Sequence, residues 1–382
     1  MSGPGKKAAI PNERITYLPD TINALKGILI LFIIVGHNLA ISYNYPTLVR
    51  IFYYFNVQCF FVLAFILNNK PFSIELLRDR AVRYLTPYLV FMTMSAAIWM
   101  LLIVRRIPDG FLSWIRIFAL ALYNGNERTI LAAVGMQVFW FLPSLFSLVM
   151  LRSLCIRHEA LYVPFVIAGT VWMGSVALLS PRILSWLPLG LSPALFFFNI
   201  CLFTHWVTSR TTSANERFVT ATAIGSTATL TFLIIIIPLN WVRASIPGYY
   251  NLLQPAEFIV GIIFPITMYP SLLYAAKLLR RNHLLALCGK YSLSIFLIHM
   301  FIYRALCFAV FGGKQFANFS IVGSQLEVGL LLFVITLFVS LGISVAIARL
   351  PWLNNLIFPR DWDCLRQRIK SYFNANNKTY ES

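Results

Sequence analysis

The sequence predicts an all-α, polytopic bundle of about ten transmembrane helices with both termini in the cytoplasm. Three observations carry this expectation. Hydrophobic residues make up 59% of the 382 residues and charged residues only 12%, a charged share well below that of soluble domains. The apolar residues come in runs of about 20, the length that crosses a hydrocarbon core. Lys and Arg fall unevenly between those runs, and that asymmetry orients the helices.

In chain order the runs are Asn23 to Ser42, Ile51 to Leu67, Tyr84 to Val104, Val138 to Leu154, Leu161 to Leu179, Leu189 to Thr208, Phe218 to Pro238, Ala256 to Ala275, Ser292 to Val310 and Val328 to Leu350. The first is preceded by a polar stretch with Lys6, Lys7 and Arg14. It is too long for the apolar core of a cleavable signal and is expected to stay as the first span. The stretch Phe111 to Leu122 is apolar but short, which fits an interfacial or re-entrant segment. This divides the chain into an N-terminal segment (1–22), a membrane domain (23–350) and a C-terminal tail (351–382).

With ten spans, 22 of the 31 Lys and Arg lie on the side of the termini and 9 on the other. The positive-inside rule then places both termini in the cytoplasm of a multi-pass inner-membrane protein. The net charge of +18 therefore reads as basic loops facing anionic lipid heads, not as a nucleic-acid surface. Such loops can also hold an anionic substrate. The six Cys are scattered without CxxC or Cys/His spacing, so no metal is expected. Walker A, GxGxxG, GxSxG and HExxH patterns are absent, which removes the nucleotide-loop, serine-hydrolase and zincin readings.

Lys26 and His37 are 11 residues apart in the first run. On a helix that places them on one face, about 16 Å apart along the axis. Lys26 would sit at the cytoplasmic mouth and His37 deep in the bilayer. An ionisable side chain at that depth is costly and marks function, unless it is a packing histidine bonded to a neighbouring helix. Arg80 and Arg83 open the third run at i and i+3, again on one face. They read either as ordinary inside-positive charge or as a bidentate phosphate clamp. The four residues together would accept an acyl-CoA donor. Its phosphates would lie at the mouth and its thioester would reach His37, acting as general base or acyl relay.

The segment KGILILFIIVGH, with Lys26 and His37 at its ends, resembles the first-helix motif of the acyltransferase-3 family of integral-membrane O-acyltransferases. FYYFNVQCFFVLAFIL, RDRAVRYLTPY, VFWFLPSLF and YSLSIFLIH resemble later segments of that family, in family order. The resemblance implies about ten helices and acyl transfer from acyl-CoA, most simply acetyl-CoA. The acceptor it implies is a sugar hydroxyl of a surface polysaccharide, an exopolysaccharide or a lipid-linked precursor. It carries Lys26, His37, Arg80 and Arg83 over as the donor-handling set, and it is nearest the glycan O-acetylase branch. Asn23 stands where the family has Asp, Asn56 where it has His, and Leu63-Ala64-Phe65 where it has a Ser-Gly break.

Three further residues are weaker candidates for binding the acceptor. His299 lies in the ninth run, Glu257 opens the eighth, and Trp140 could stack on a sugar ring. Each also has a bland reading, as a structural, interfacial or membrane-belt residue. His205 reads as interfacial, and His158 and His283 as solvated. Expected partners are membrane lipid, the glycan acceptor and the polysaccharide-synthesis machinery. The competing reading is a transporter of an anionic glycan intermediate, although the matched broken helices common in transporters are not evident. A purely structural subunit is a third.

Overall fold

A computed structural model of the chain describes residues 18–102, 110–178, 187–209, 216–236, 255–311 and 325–367. The described residues are α-helical with short 3-10 turns and no strand among them. With no water to satisfy a backbone in the hydrocarbon core, helices are what an apolar chain of this kind can form.

Each of the ten predicted runs overlaps at least one helix among the described residues. The order is α1 (Pro19–Gly36), α2 (Leu39–Asn44), α3 (Pro46–Tyr53), α4 (Asn56–Leu67), α5 (Ile74–Leu102), α6 (Gly110–Asn124), α7 (Glu127–Val134) and α8 (Phe141–Arg157). There follow α9 (Tyr162–Leu178), α10 (Leu191–Ser209), α11 (Glu216–Ile236), α12 (Pro255–Leu278), α13 (His283–Lys290), α14 (Ser292–Phe311), α15 (Leu326–Arg349) and α16 (Pro351–Ile357). Among the described residues, eight helical segments are long and apolar enough to cross a membrane. The protein is a multi-pass membrane protein. The short stretch after the third run is the helix α6.

Two predicted spans are not single helices. The first run was expected to continue to Ser42, but α1 ends at Gly36 and a new helix begins at Leu39. Asn38 causes the break. Its backbone is extended, and its side-chain oxygen accepts hydrogen bonds from the N–H groups of Ala40 and Ile41, both at 3.1 Å, as an N-cap does. The second run is interrupted at Tyr54 and Phe55, between α3 and α4. In the third, α5 begins at Ile74, so Arg78, Arg80 and Arg83 are helical residues and not loop residues.

The helices share one core. Leu25, Leu29 and Ile30 of α1 are fully buried and pack with Phe55, Phe61 and Phe65 of the α3–α4 segment. α8 is the innermost membrane helix, with 83% of its membrane window buried against 33% for α5 and α15. The outward faces of those two carry exposed Leu89, Leu101, Leu330, Leu331 and Phe338. Such a surface would be an aggregation hazard in water but suits lipid contact.

α1 is held closely by α13. A Cβ on Gly289 would stand 1.7 Å from the Asn23 carbonyl oxygen, and one on Gly27 would stand 2.1 Å from that of Leu285. The two backbones therefore touch where neither residue has a side chain, as small residues permit between membrane helices. Lys26 and Lys290 each adjoin one of these glycines.

Candidate active site

The break after α1 fixes His37. His37 caps α1, its N–H donating to Ile33 O at 3.1 Å. The polar groups freed by the break are satisfied from three helices. Asn38 Nδ2 donates to Gly329 O on α15 at 2.7 Å. Leu39 N–H donates to the Tyr303 hydroxyl on α14 at 2.8 Å. The Tyr53 hydroxyl donates to Gly36 O at 3.0 Å. Unpaired backbone would be costly at this depth, so these bonds let irregular chain persist inside the bundle.

The same tyrosine defines the His37 ring. Tyr53 Oη lies 3.5 Å from His37 Nδ1. Its one proton is directed at Gly36 O, so toward the imidazole the phenol oxygen acts as acceptor. A hydrogen on His37 Nδ1 would satisfy this contact and would leave Nε2 its lone pair. That is the form a general base requires.

The His37 ring lies against a second imidazole. The ring centroids of His37 and His299 are 5.4 Å apart. His299 is 1% exposed. Its Nδ1 donates to the carbonyls of Phe296 at 2.7 Å and Ile295 at 3.2 Å. Carbonyls only accept, so the hydrogen is on Nδ1. Its Nε2 is buried with no hydrogen-bond partner.

A cavity of about 360 Å³ opens between α1, α4, α5, α8, α13 and α14. Lys26, Arg80, Arg83 and Lys290 line it, with Phe60, Phe141 and Phe296 among its apolar walls and no acidic residue in the lining. Arg80 Nη2 donates to Asn68 Oδ1 at 3.4 Å. Asn68 is itself anchored, its Nδ2 donating to Val149 O at 3.2 Å and Ser153 Oγ at 2.8 Å. Arg80 Nε is buried without a partner. The Arg83 guanidinium lies over the Tyr84 ring, 5.9 Å from its centroid. Four cations without a carboxylate form a receptor for a polyanion. Phe296 joins this cavity to the imidazoles, its ring standing 6.0 Å from that of His299.

The structure thus brings Lys26, Arg80 and Arg83 to one cavity and pairs His37 with His299. Trp140 lies elsewhere, in the short 3-10 turn before α8, against Phe61 at 5.9 Å and Phe197 at 6.4 Å. Glu257 falls in the first turn of α12, and its side chain is outside the described residues. His205 Nε2 lies 3.3 Å from Arg152 Nη2. Arg152 also donates to the Tyr162 hydroxyl and lies over the Phe65 ring. Sequence reasoning missed Lys290, Tyr53 and Asn68. Among the described residues, no group of three or more His, Cys, Asp or Glu is placed to hold a metal ion.

Comparison with known families decides what this site belongs to. The family model described as an acyltransferase domain, acyltransferase-3, matches residues 20–349. The chain belongs to the acyltransferase-3 family. The match runs from the second residue of α1 to the last of α15, so every residue of the cavity and of the imidazole pair lies within this acyltransferase domain. No curated protein and no solved structure matches the chain. As a member of the family it is a membrane acyltransferase.

Proposed function

We propose that this acyltransferase takes its acyl group from acyl-CoA, most simply acetyl-CoA. The acceptor is a sugar hydroxyl of a surface polysaccharide, an exopolysaccharide or a lipid-linked precursor. The observation that carries this reading is the cavity, which presents Lys26, Arg80, Arg83 and Lys290 with no acid among its lining residues. A coenzyme bearing several phosphates matches four cations set in a partly apolar pocket. Its thin, uncharged arm would run past Phe296, the lining residue that stands against His299, toward His37. The uneven Lys and Arg count supports a cytoplasmic placement of the cavity in the inner membrane, where acyl-CoA is available.

In this reading His37 Nε2 removes the proton from the acceptor hydroxyl as its oxygen attacks the thioester carbonyl. The Tyr53 contact supports the Nδ1–H tautomer that can do so. Collapse of the tetrahedral intermediate expels the coenzyme thiolate. The glycan acceptor and any association with polysaccharide-synthesis machinery rest on the family resemblance.

The test uses purified full-length protein in lipid nanodiscs. Acetyl-CoA binding should be competed by free CoA and weakened by salt, as phosphate contacts are. Mass spectrometry of surface glycan from a deletion strain should show loss of one acyl group per modified sugar, restored by the wild-type gene. Unchanged glycan, or binding indifferent to CoA, would overturn the reading.

A further inference from the structure

The mechanism above uses one imidazole, yet the structure holds two. His299 Nδ1 is committed to two backbone carbonyls, so Nε2 is the nitrogen through which this ring can exchange a proton. That atom is buried and unpaired. A buried polar atom without a partner costs free energy, which a ligand or reacting group that supplies the missing bond would recover. The neighbouring ring is that of His37, its centroid 5.4 Å away.

The position of each ring gives the pair a direction. His299 is one helical turn beyond Phe296 on α14, and Phe296 lines the cationic cavity. His37 sits at the break where α1 stops, beside Tyr53 of α3. The donor sulfur arrives from the cavity and so from the His299 side. The proton removed from the acceptor appears at His37 and must reach that sulfur.

We propose that His37 and His299 form a two-imidazole proton relay, with His37 the base for the acceptor hydroxyl and His299 the acid for the departing thiolate. The inference rests on the acyl-CoA reading. In the step, the acceptor O–H bond breaks and the C–O bond forms, while the C–S bond breaks and an S–H bond forms. The proton passes from the hydroxyl to His37, then across the ring contact to His299 Nε2, then to sulfur. Both imidazoles end neutral, as they began, and no other reactant is consumed.

The relay predicts that His299 matters only when the leaving group needs a proton. An alkyl thiolate such as that of CoA is a strong base and needs one, whereas 4-nitrothiophenolate is a weak base and leaves without it. Turnover of acetyl-CoA and of the acetyl thioester of 4-nitrothiophenol would be measured for wild-type, His299→Gln and His37→Gln proteins, with acceptor present. His299→Gln should lose about 100-fold or more with acetyl-CoA, the scale of general acid catalysis, and no more than about threefold with the aryl thioester. His37→Gln should lose both activities. Equal losses for His299→Gln with the two donors, or full turnover of acetyl-CoA, would overturn the relay. If His299→Gln does not accumulate, a series of alkyl and aryl acetyl thioesters on wild-type protein decides the matter. Acid assistance gives a shallow dependence of rate on the acidity of the thiol, and a steep one overturns the proposal. Wild-type protein that turns over neither donor would instead refute the acyl-transfer reading on which the relay stands.

Discussion

Arg80 and Arg83 share one helix face and one cavity but not one environment. Arg80 is tied to Asn68 and keeps a buried, unpaired Nε, while Arg83 lies over Tyr84. In the acyl-CoA reading both meet phosphate. Charge-assisted hydrogen bonds contribute about 1.5–3 kcal/mol each, and 1.4 kcal/mol is tenfold in affinity. Changing both residues to Ala should therefore raise the apparent KM for acetyl-CoA by about tenfold or more, with little effect on the KM for acceptor. It should also flatten the salt dependence of donor binding. Donor affinity unchanged in a folded double variant would remove the clamp. His37→Gln is the complementary case. Glutamine keeps hydrogen bonding but cannot take up a proton at neutral pH, so donor binding should persist while acylation falls by about 10²–10⁴-fold. A histidine that only packs would behave otherwise, giving lower yield and an active remainder. At this scale the sequence was legible where one helix carries the pattern. Lys26 with His37, and Arg80 with Arg83, are spacing arguments within single helices. Lys290, Tyr53 and the imidazole pair are not, because each depends on which helices touch.

Elements explain why those residues meet. Gly27 and Gly289 let α1 and α13 approach until their backbones touch, and the adjacent Lys26 and Lys290 are carried to one cavity. Gly289→Ala places a methyl group 1.7 Å from the Asn23 carbonyl oxygen, so the helices must separate. Overpacking of this kind costs about 1–3 kcal/mol or more. The variant should melt earlier and bind acetyl-CoA less tightly. Gly342→Ala on α15 is the control, since a Cβ there meets nothing within 4 Å and alanine improves helix propensity by about 0.5–1 kcal/mol. Wild-type stability and donor binding in Gly289→Ala would show that the contact is not required. A second element carries a pH dependence. Glu127 opens the short helix α7, and burial pushes its carboxyl up to about 7, partly offset by Arg128. The unfolded chain ionises this group first, near its ordinary 4.5. Stability from Glu127 is therefore full below about pH 4.5 and is lost as pH rises toward 7. Glu127→Gln should flatten the thermal midpoint across that window, and an unchanged slope would show that the carboxyl does not contribute. The helix content was readable from hydropathy alone. The breaks at Asn38 and at Tyr54–Phe55 were not, because both lie inside runs that remain apolar enough to span. What stabilises the break after α1 is a set of partners from Gly329 and Tyr303, more than 260 positions away.

For the whole molecule, the open question is which way it faces. The structure ties the chain beyond the last membrane helix to the cavity end of α5. Trp362 N–H donates to Asp79 Oδ1 at 3.1 Å, one residue from Arg80, and Arg78 lies over the Trp362 ring at 5.4 Å. The segment that follows α15 therefore shares a side with the four cations. The count of 22 Lys and Arg against 9 assigns that side to the cytoplasm when the spans number ten. The two arguments are independent, since one is a contact and the other a distribution of charge. In the acyl-CoA reading they together place the cationic cavity on the side of the compartment that holds the donor. A reporter fused at either terminus, or inserted after Lys277, should accordingly read as cytoplasmic. A reporter near Gly312, which lies outside the described residues, should read as external. One miscounted span would reverse the C-terminal result while leaving the N-terminal one intact. An external C-terminus would overturn the ten-span count and, through the Trp362 contact, place the cationic cavity on the wrong side of the membrane for acyl-CoA.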